Sequence, residues 1–255
     1  MILSLPQSGM WALYAREVKR FQKLWMDTIF NPIVSVGLYL AVFGVIAGDR
    51  TINGVPYLAF IYVGLLSMNL INASISNPAF ALIISKNLGT IVDLQLAPIS
   101  PWRVGLAYAL AALTRGVITL AVGLALTVWL IPLNGIAHPF LLLFAIALTG
   151  IQFGIIGVAF GMWAKNFEAL TFLTTFILQP MIFLAGVFYP IDSLPTPWNI
   201  ISQFNPLHHN VNLLRFAVTD YADGNPWKSL LVVVVLLLIV TIAMQYIVKK
   251  KLRSE

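Results

Sequence analysis

Residues 138–163 read HPFLLLFAIALTGIQFGIIGVAFGMW, without an Asp, Glu, Lys or Arg from end to end. A helix needs roughly 20 apolar residues to cross the ~30 Å hydrocarbon core of a bilayer, and this stretch exceeds that. Five further runs share its character, at about 28–48, 57–85, 104–131, 169–188 and 229–248. Barrel strands would instead be ~10-residue segments of alternating polarity, and the sequence has no such pattern. The runs therefore predict an all-α polytopic membrane protein of six transmembrane helices, forming a single domain over 1–255.

Composition agrees. Sixty per cent of the 255 residues are apolar and 9% are charged, outside the range of soluble domains. The runs use more than half the chain, which leaves no room for a separate catalytic domain. The net charge of +6 does not indicate nucleic acid, because the cations sit beside the apolar runs and form no long basic face with interleaved aromatics. The absence of cysteine excludes disulfides, thiolate metal sites and cysteine catalysis. Residues 1–27 do not read as a cleaved signal, since the run that follows them has full spanning length.

Lysine and arginine set the orientation. Arg16, Lys19, Arg20, Lys23, Lys86, Arg103, Lys165 and the C-terminal cluster fall on one side, against Arg50, Arg215 and Lys228 on the other. Both termini are expected in the cytoplasm.

Within the N-terminal arm, Trp11, Tyr14, Val18, Phe21 and Trp25 recur at helical spacing, with Arg16, Lys19, Arg20 and Lys23 on the other faces. That pattern suits an amphipathic helix lying in the cytoplasmic interface, or one packed on a protein partner.

Several polar residues interrupt the runs. Asn69, Asn72 and Ser76 share one face of the second. Such groups need partners or water inside a bilayer, so they either bond neighbouring helices or line a pathway. Thr175 and Gln179 offer the same alternatives in the fifth. Arg115 lies about 16 Å along the third at ~1.5 Å per residue, where a guanidinium is costly unless paired or hydrated. It faces a hydrated cavity or bonds to backbone and polar groups of adjacent helices. Gly150, Gly154, Gly157 and Gly161 form two successive GxxxG pairs and predict close helix packing.

Two connections carry more information. In 86–103, KNLGTIVDLQLAPISPWR, Ile91 and Leu94, with Leu96, form a short apolar face that Pro98 and Pro101 terminate. A short cytoplasmic helix is expected there. The segment 189–227 is longer than a plain connector; its apolar positions predict pieces that dip partway into the outer leaflet, with Asp192 and Ser193 placed to cap a short helix. His208 and His209 fall in it, but adjacent histidines point apart on a helix and no HExxH or third ligand accompanies them, so no metal is expected.

The order of these features resembles the membrane-spanning subunit of type-2 ATP-binding-cassette (ABC) transporters, the export-permease family. The resemblance covers nearly the whole chain. It rests on the amphipathic arm with its basic run (Ala15 to Arg20), Asn31-Pro32, LYLAVFG (38–44), GTIVDLQLAPIS (89–100), FLAGVFYPIDSLP (183–195) and FNPLHHNVNLLR (204–215). Ala97-Pro98 departs from the more frequent Ser-Pro but keeps the proline.

The resemblance implies that two copies form a translocation pathway at their interface. Asn69, Asn72, Ser76, Arg115, Thr175 and Gln179 are its candidate pathway residues. Nucleotide-binding ATPase subunits would sit beneath, against Asp93, Leu94 and Pro98 and against Glu17 and Lys19 of the arm. ATP and Mg would belong to that partner and no cofactor to this chain; GxxxxGK[ST] is absent. The implied location is the cell membrane, the inner one in bacteria, with lipids around the spans. Hydrophobic drugs or lipid-like molecules are the expected cargo, and polysaccharide or glycoconjugate the alternative. An ion-coupled secondary transporter would want intramembrane acids, and the runs contain none. Neither a hydrolase elbow nor a channel-type charged ring is present.

Overall fold

The computed structural model describes residues 9–23, 25–47, 50–127 and 135–253. Residues 1–8 of the arm, residue 48 and the 128–131 end of the third run lie outside them.

Among the described residues the regular structure is helical apart from one small hairpin. After α1 (Gly9–Gln22) comes α2 (Trp25–Ala47), followed by β1 (Thr51–Ile52) and β2 (Val55–Pro56). The strands pair antiparallel, Ile52 opposite Val55. Asn53 and Gly54 both take positive φ, 47° and 85°, the combination a two-residue primed turn requires. Beyond it run α3 (Tyr57–Asn87), α4 (Ile91–Leu96), α5 (Pro101–Thr127) and α6 (Pro139–Trp163). The fifth run is composite: α7 (Phe167–Phe172), a π-helical stretch (Leu173–Leu178) and α8 (Gln179–Phe183). A 3-10 turn (Ile191–Ser193), α9 (Trp198–Phe204), α10 (Pro206–Thr219) and α11 (Pro226–Arg253) complete the chain.

Among the described residues four helices are long and apolar enough to cross a membrane: Tyr57–Asn87, Pro101–Ala125, Pro139–Trp163 and Pro226–Lys251. The first and fifth runs contribute shorter apolar helices, Ile33–Val45 and Phe167–Phe183. The fifth was expected to reach residue 188, but the helix stops at Phe183. Gly186 takes φ +77°, a left-handed conformation that ends helices. Residues 184–190 instead fold back, and Phe188 packs among Tyr39, Phe43 and Phe183, with ring centroids 5.2–5.6 Å apart. Pro180 has no N–H for the Phe176 carbonyl, and Thr174 Oγ1 donates to the carbonyls of Leu170 and Thr171. Both disturb the regular ladder around the π-helical stretch.

α3 is the central element, buried along most of its length. The glycines of α6 explain how it is gripped. A Cβ on Gly154 would stand 3.1 Å from Ala109 Cα of α5, and one on Gly161 would stand 2.8 Å from Ala79 Cα of α3. The first GxxxG pair thus seats α5 and the second seats α3, by the close backbone approach that small residues permit.

The arm departs from expectation in its rotation. α1 buries Leu13, Glu17 and Phe21, a stripe that contains an acid, while Trp11 is 45% exposed. Leu13 packs with Leu82, Leu94, Val104 and Tyr108. Tyr14 Oη lies 3.0 Å from Thr114 Oγ1, and Arg16 donates to Tyr108 Oη at 3.1 Å. α1 therefore seats itself against α3 and α5. Trp25, expected on the arm's stripe, opens α2 instead.

The segment before the last span does re-enter the bundle. Thr149 Oγ1 donates to Asn210 Oδ1 at 3.0 Å, about 15 Å along α6 from its first residue at ~1.5 Å per residue. Asn205 Nδ2 donates to Met181 O at 2.6 Å, and its Oδ1 caps α10 through the Leu207 N–H.

Candidate functional site

At the end of the bundle that carries α1, the short helix expected between residues 86 and 103 is present as α4. Its N-terminal turn needs Gly89 at φ +72°, where a Cβ would meet no atom but the conformation is strained for other residues. Leu94 is buried and Ile91 half-buried against the Leu13–Val104 cluster. Leu96, expected on that same face, is 79% exposed. It is exposed with Val92, one turn earlier on α4, and with Leu88, which caps the end of α3. Asp93 and Pro98 are exposed as well.

Lys86 fixes this corner. Its Nζ donates to the carbonyls of Gly161, Met162 and Ala164 at 2.6–2.7 Å. Gly161 and Met162 supply last-turn acceptors of α6 and Ala164 is the residue that caps it, carbonyls that the helix itself leaves without partners. The ammonium joins the ends of α3 and α6 immediately before α4 begins. A groove of ≈ 460 Å³ runs between α1 and α4, lined by residues including Ala12, Arg16, Asp93, Pro98 and Arg103.

The arm candidates separate. Lys19 is exposed, but Glu17 is 2% exposed. Its carboxylate is held by Arg20 Nε at 2.8 Å and Arg16 Nη2 at 3.3 Å. Glu17 is thus directed into the bundle, away from any docking surface on this end.

Three of the pathway candidates, Asn69, Asn72 and Ser76, form a polar seam along one face of α3. Asn72 and Ser76 are half-buried on an otherwise buried stretch of α3. Asn69 is buried and donates to the Leu65 carbonyl of its own helix at 3.1 Å. The composite fifth helix flanks that face: Leu178 packs with Leu65, Ile71 and Ile75, and Phe167 meets Phe80 at 5.2 Å between ring centroids. Thr175 is exposed within the π-helical stretch and Gln179 half-buried just after it. Stretches of this kind recur at functional sites. Arg115 stands apart on α5, half-buried and engaged by neighbouring groups. Its neighbour Gly116 faces α3, where a Cβ would come 2.7 Å from Leu70 Cδ1.

Sequence reasoning missed a second polar centre at the hairpin end. Arg215, read only as a loop cation, is fully buried. Its guanidinium lies 3.7 Å from the Phe60 ring centroid, donates to Gly186 O at 2.7 Å and pairs with Asp223 Oδ2 at 3.5 Å. Tyr221 Oη donates to Asp223 Oδ1 at 2.7 Å, and the Asp223 N–H to Asn212 Oδ1 at 2.6 Å. Burial pushes the Asp223 carboxyl up, against the opposing charge of Arg215. Tyr221 is raised to about 12 by burial and by its bond to Asp223.

His208 and His209 adjoin this centre. His209 bonds Ser229 Oγ at 3.1 Å and Gln203 O at 3.0 Å; His208 Nδ1 lies 3.3 Å from Ala185 O. Both ring nitrogens of His209 are thus engaged within the fold. Burial, then the neighbouring charge of His209, lowers His208 to about 4. The two rings line a pocket of ≈ 180 Å³ with Asp192, Asp223 and Lys228. Among the described residues no group of three or more His, Cys, Asp or Glu side chains is arranged to hold a metal.

The sequence was compared with known proteins. The family model for the ABC-2 type transporter matches residues 8–218. The inner membrane transport permease YadH of Escherichia coli K12 is 28% identical over 208 residues, covering 81% of each chain. Nodulation protein J of Rhizobium leguminosarum bv. viciae is 26% identical over 234 residues, 84% of each chain. Its counterpart from Rhizobium meliloti is 26% identical over 231 residues, covering 84% of this chain and 83% of the relative. The family match extends from α1 to the end of α10 and so includes α4, the polar seam and the re-entrant segment: the chain is a transmembrane permease of the ABC-2 type transporter family.

Proposed function

We propose that this permease is the membrane-spanning subunit of an ATP-driven exporter, working as a dimer with separate ATPase subunits on its cytoplasmic side. The observation that carries the reading is the two-sided character of α4. Leu94 faces the bundle, while Val92 and Leu96, with Leu88 just before the helix, stand exposed beside Asp93. Apolar side chains left open on a helix whose other face is already packed, and rimmed by charge, mark a protein contact. The groove between α1 and α4 extends that surface, and Lys19, Asp93 and Pro98 are its assigned contacts; Leu94, expected among them, is buried against the bundle and anchors α4 from its inner side. Glu17 acts from inside, by holding Arg16 and Arg20.

Both termini lie in the cytoplasm in this reading, and the inner-membrane permease of E. coli supports the same membrane here. Exposed Trp163 and Trp227 belong to the lipid interfaces where indole rings concentrate. Val34, Leu38 and Val42 of α2 and Phe172 and Phe176 of the fifth helix are exposed apolar groups available to the second copy and to lipid. The pathway follows Asn72, Ser76, Thr175 and Gln179, with Asn69 behind them. Isolated amides and hydroxyls among exposed Phe172, Phe176 and Ile177 suit a hydrophobic or lipid-like cargo with few polar groups.

Co-expression with a candidate ABC ATPase tests this. The complex should copurify and hydrolyse ATP with vanadate sensitivity. Asp93→Lys or Leu94→Pro should leave membrane insertion intact while hydrolysis no longer drives transport. Proton-driven flux without any ATPase would overturn the reading.

A further inference from the structure

α1 and α3 meet at a polar point that the docking surface does not use. Arg20 Nη2 donates to the backbone carbonyl of Asn77 at 3.0 Å and to its Oδ1 at 3.1 Å. The same guanidinium is steadied through Nε by Glu17 Oε2 at 2.8 Å. Glu17 and Asn77 are both nearly inaccessible, 2% and 1% exposed, so this is an interior link.

Its position along α3 is what gives it consequence. Asn77 immediately precedes Pro78, a proline inside the helix. Proline withholds an N–H from the carbonyl four residues back and crowds it, so a helix bends most easily there. On its other side the same place is braced by α6: a Cβ on Gly157 would collide with the Ile75 carbonyl and the Pro78 ring. The weak point of α3 is therefore held between a guanidinium fork on α1 and a glycine on α6. Ser76 and Asn72, the half-buried polar residues of the seam, lie within one and two turns of it.

We infer that Arg20 is a positioning residue that sets the bend of α3 at Pro78, so that displacement of α1 changes the exposure of Asn72 and Ser76. Arg20 is the lever contact, Glu17 keeps its fork aligned, and Gly157 is the fulcrum. The inference deepens the proposed function, because it assumes that the ATPase moves α1. The link itself can be tested without an ATPase.

The chain contains no cysteine, so a single Ser76→Cys reports the seam through its rate of modification by a small water-soluble thiol reagent in permeabilised membranes. Ser193→Cys, on the exposed turn at the opposite end, controls for general unfolding. Arg20→Ala should change the Ser76→Cys rate at least about fivefold, as expected when a conformational population shifts, and leave Ser193→Cys unchanged. Arg20→Lys keeps the charge for Glu17 but offers a point donor in place of a fork, and should give an intermediate rate. An unchanged Ser76→Cys rate in Arg20→Ala overturns the inference. Should Arg20→Ala disturb Ser193→Cys as well, Arg20→Lys is judged by the same criterion.

A second arm separates this link from the ATPase reading. In the permease–ATPase complex, ATP with vanadate should alter the Ser76→Cys rate in the parent and not in Arg20→Ala. A response to Arg20→Ala but none to ATP would leave the link standing and remove the ATPase reading. A response to ATP that survives Arg20→Ala would remove the link and keep the ATPase.

Discussion

The guanidinium carbon of Arg215 lies 3.7 Å from the centre of the Phe60 ring, joining α10 to the first turn of α3 across a sequence separation that spans most of the chain. With the Gly186 carbonyl and Asp223 as its other partners, it ties together the fold-back after the fifth helix, the re-entrant α10 and the loop before α11. A charge so buried persists only when it is paired and bonded.

Removing either side of that arrangement should therefore be severe. Arg215→Ala leaves Asp223 buried without its cation, a change that costs roughly 3–5 kcal/mol, whereas Phe60→Leu sacrifices about 2 kcal/mol of cation–π attraction. Thermal denaturation followed by size-exclusion fluorescence should rank the two in that order. Equal midpoints would contradict the assignment of Arg215 as the hub.

His208 gives the hairpin end a pH dependence. Its pKa falls from the usual 6.5 to about 4, so the unfolded chain binds the proton more readily than the fold does. The contribution is fully present above pH 6.5 and is lost as pH drops towards 4. It amounts to about 3 kcal/mol at most. His208→Gln should flatten the fall in thermal midpoint over that interval; an unchanged slope would show that the imidazole is not buried in its neutral form.

Lys86 should matter out of proportion to its place beside a surface turn. Three carbonyls at 2.6–2.7 Å share its ammonium, and bonds to a charged donor contribute about 1.5–3 kcal/mol each before desolvation is subtracted. Lys86→Met should lower the thermal midpoint and expose α4 to limited proteolysis. Lys86→Arg should not fully restore it, because a planar fork cannot bring three donors to one point.

Gly157→Val should disrupt the seating of α3 on α6, an overpacking cost of typically 1–3 kcal/mol, and Gly37→Val should be silent because a Cβ there meets nothing within 4 Å. The comparison is made by yield of folded protein in detergent.

Arg115 tests the pathway. Arg115→Leu should lower transport while the thermal midpoint holds, if the guanidinium serves the pathway; full transport with normal stability would reduce it to a packing residue.

Much of this fold could be read because its signals are local. Apolar runs, the GxxxG pairs of α6 and the proline-bounded α4 each announce themselves within one stretch of chain. What stayed hidden depends on partners distant in sequence. Arg215 reads as a loop cation until Phe60, Gly186 and Asp223 converge on it. Glu17 reads as a surface acid until Arg16 and Arg20 pair with it inside the bundle, on a buried stripe of α1 that leaves Trp11 out. The early stop of the fifth helix follows from Gly186 and the aromatic cluster around Phe188, and neither is visible in a hydropathy run.

In the proposed function α4 is a cytoplasm-facing handle for a separate motor. A cysteine placed at Gly89, in the otherwise cysteine-free chain, decides this by reaction with a membrane-impermeant maleimide. Protection in intact cells, labelling in inverted vesicles, and slower labelling there when the ATPase is bound are the expected results. Labelling from outside intact cells would contradict the proposed function.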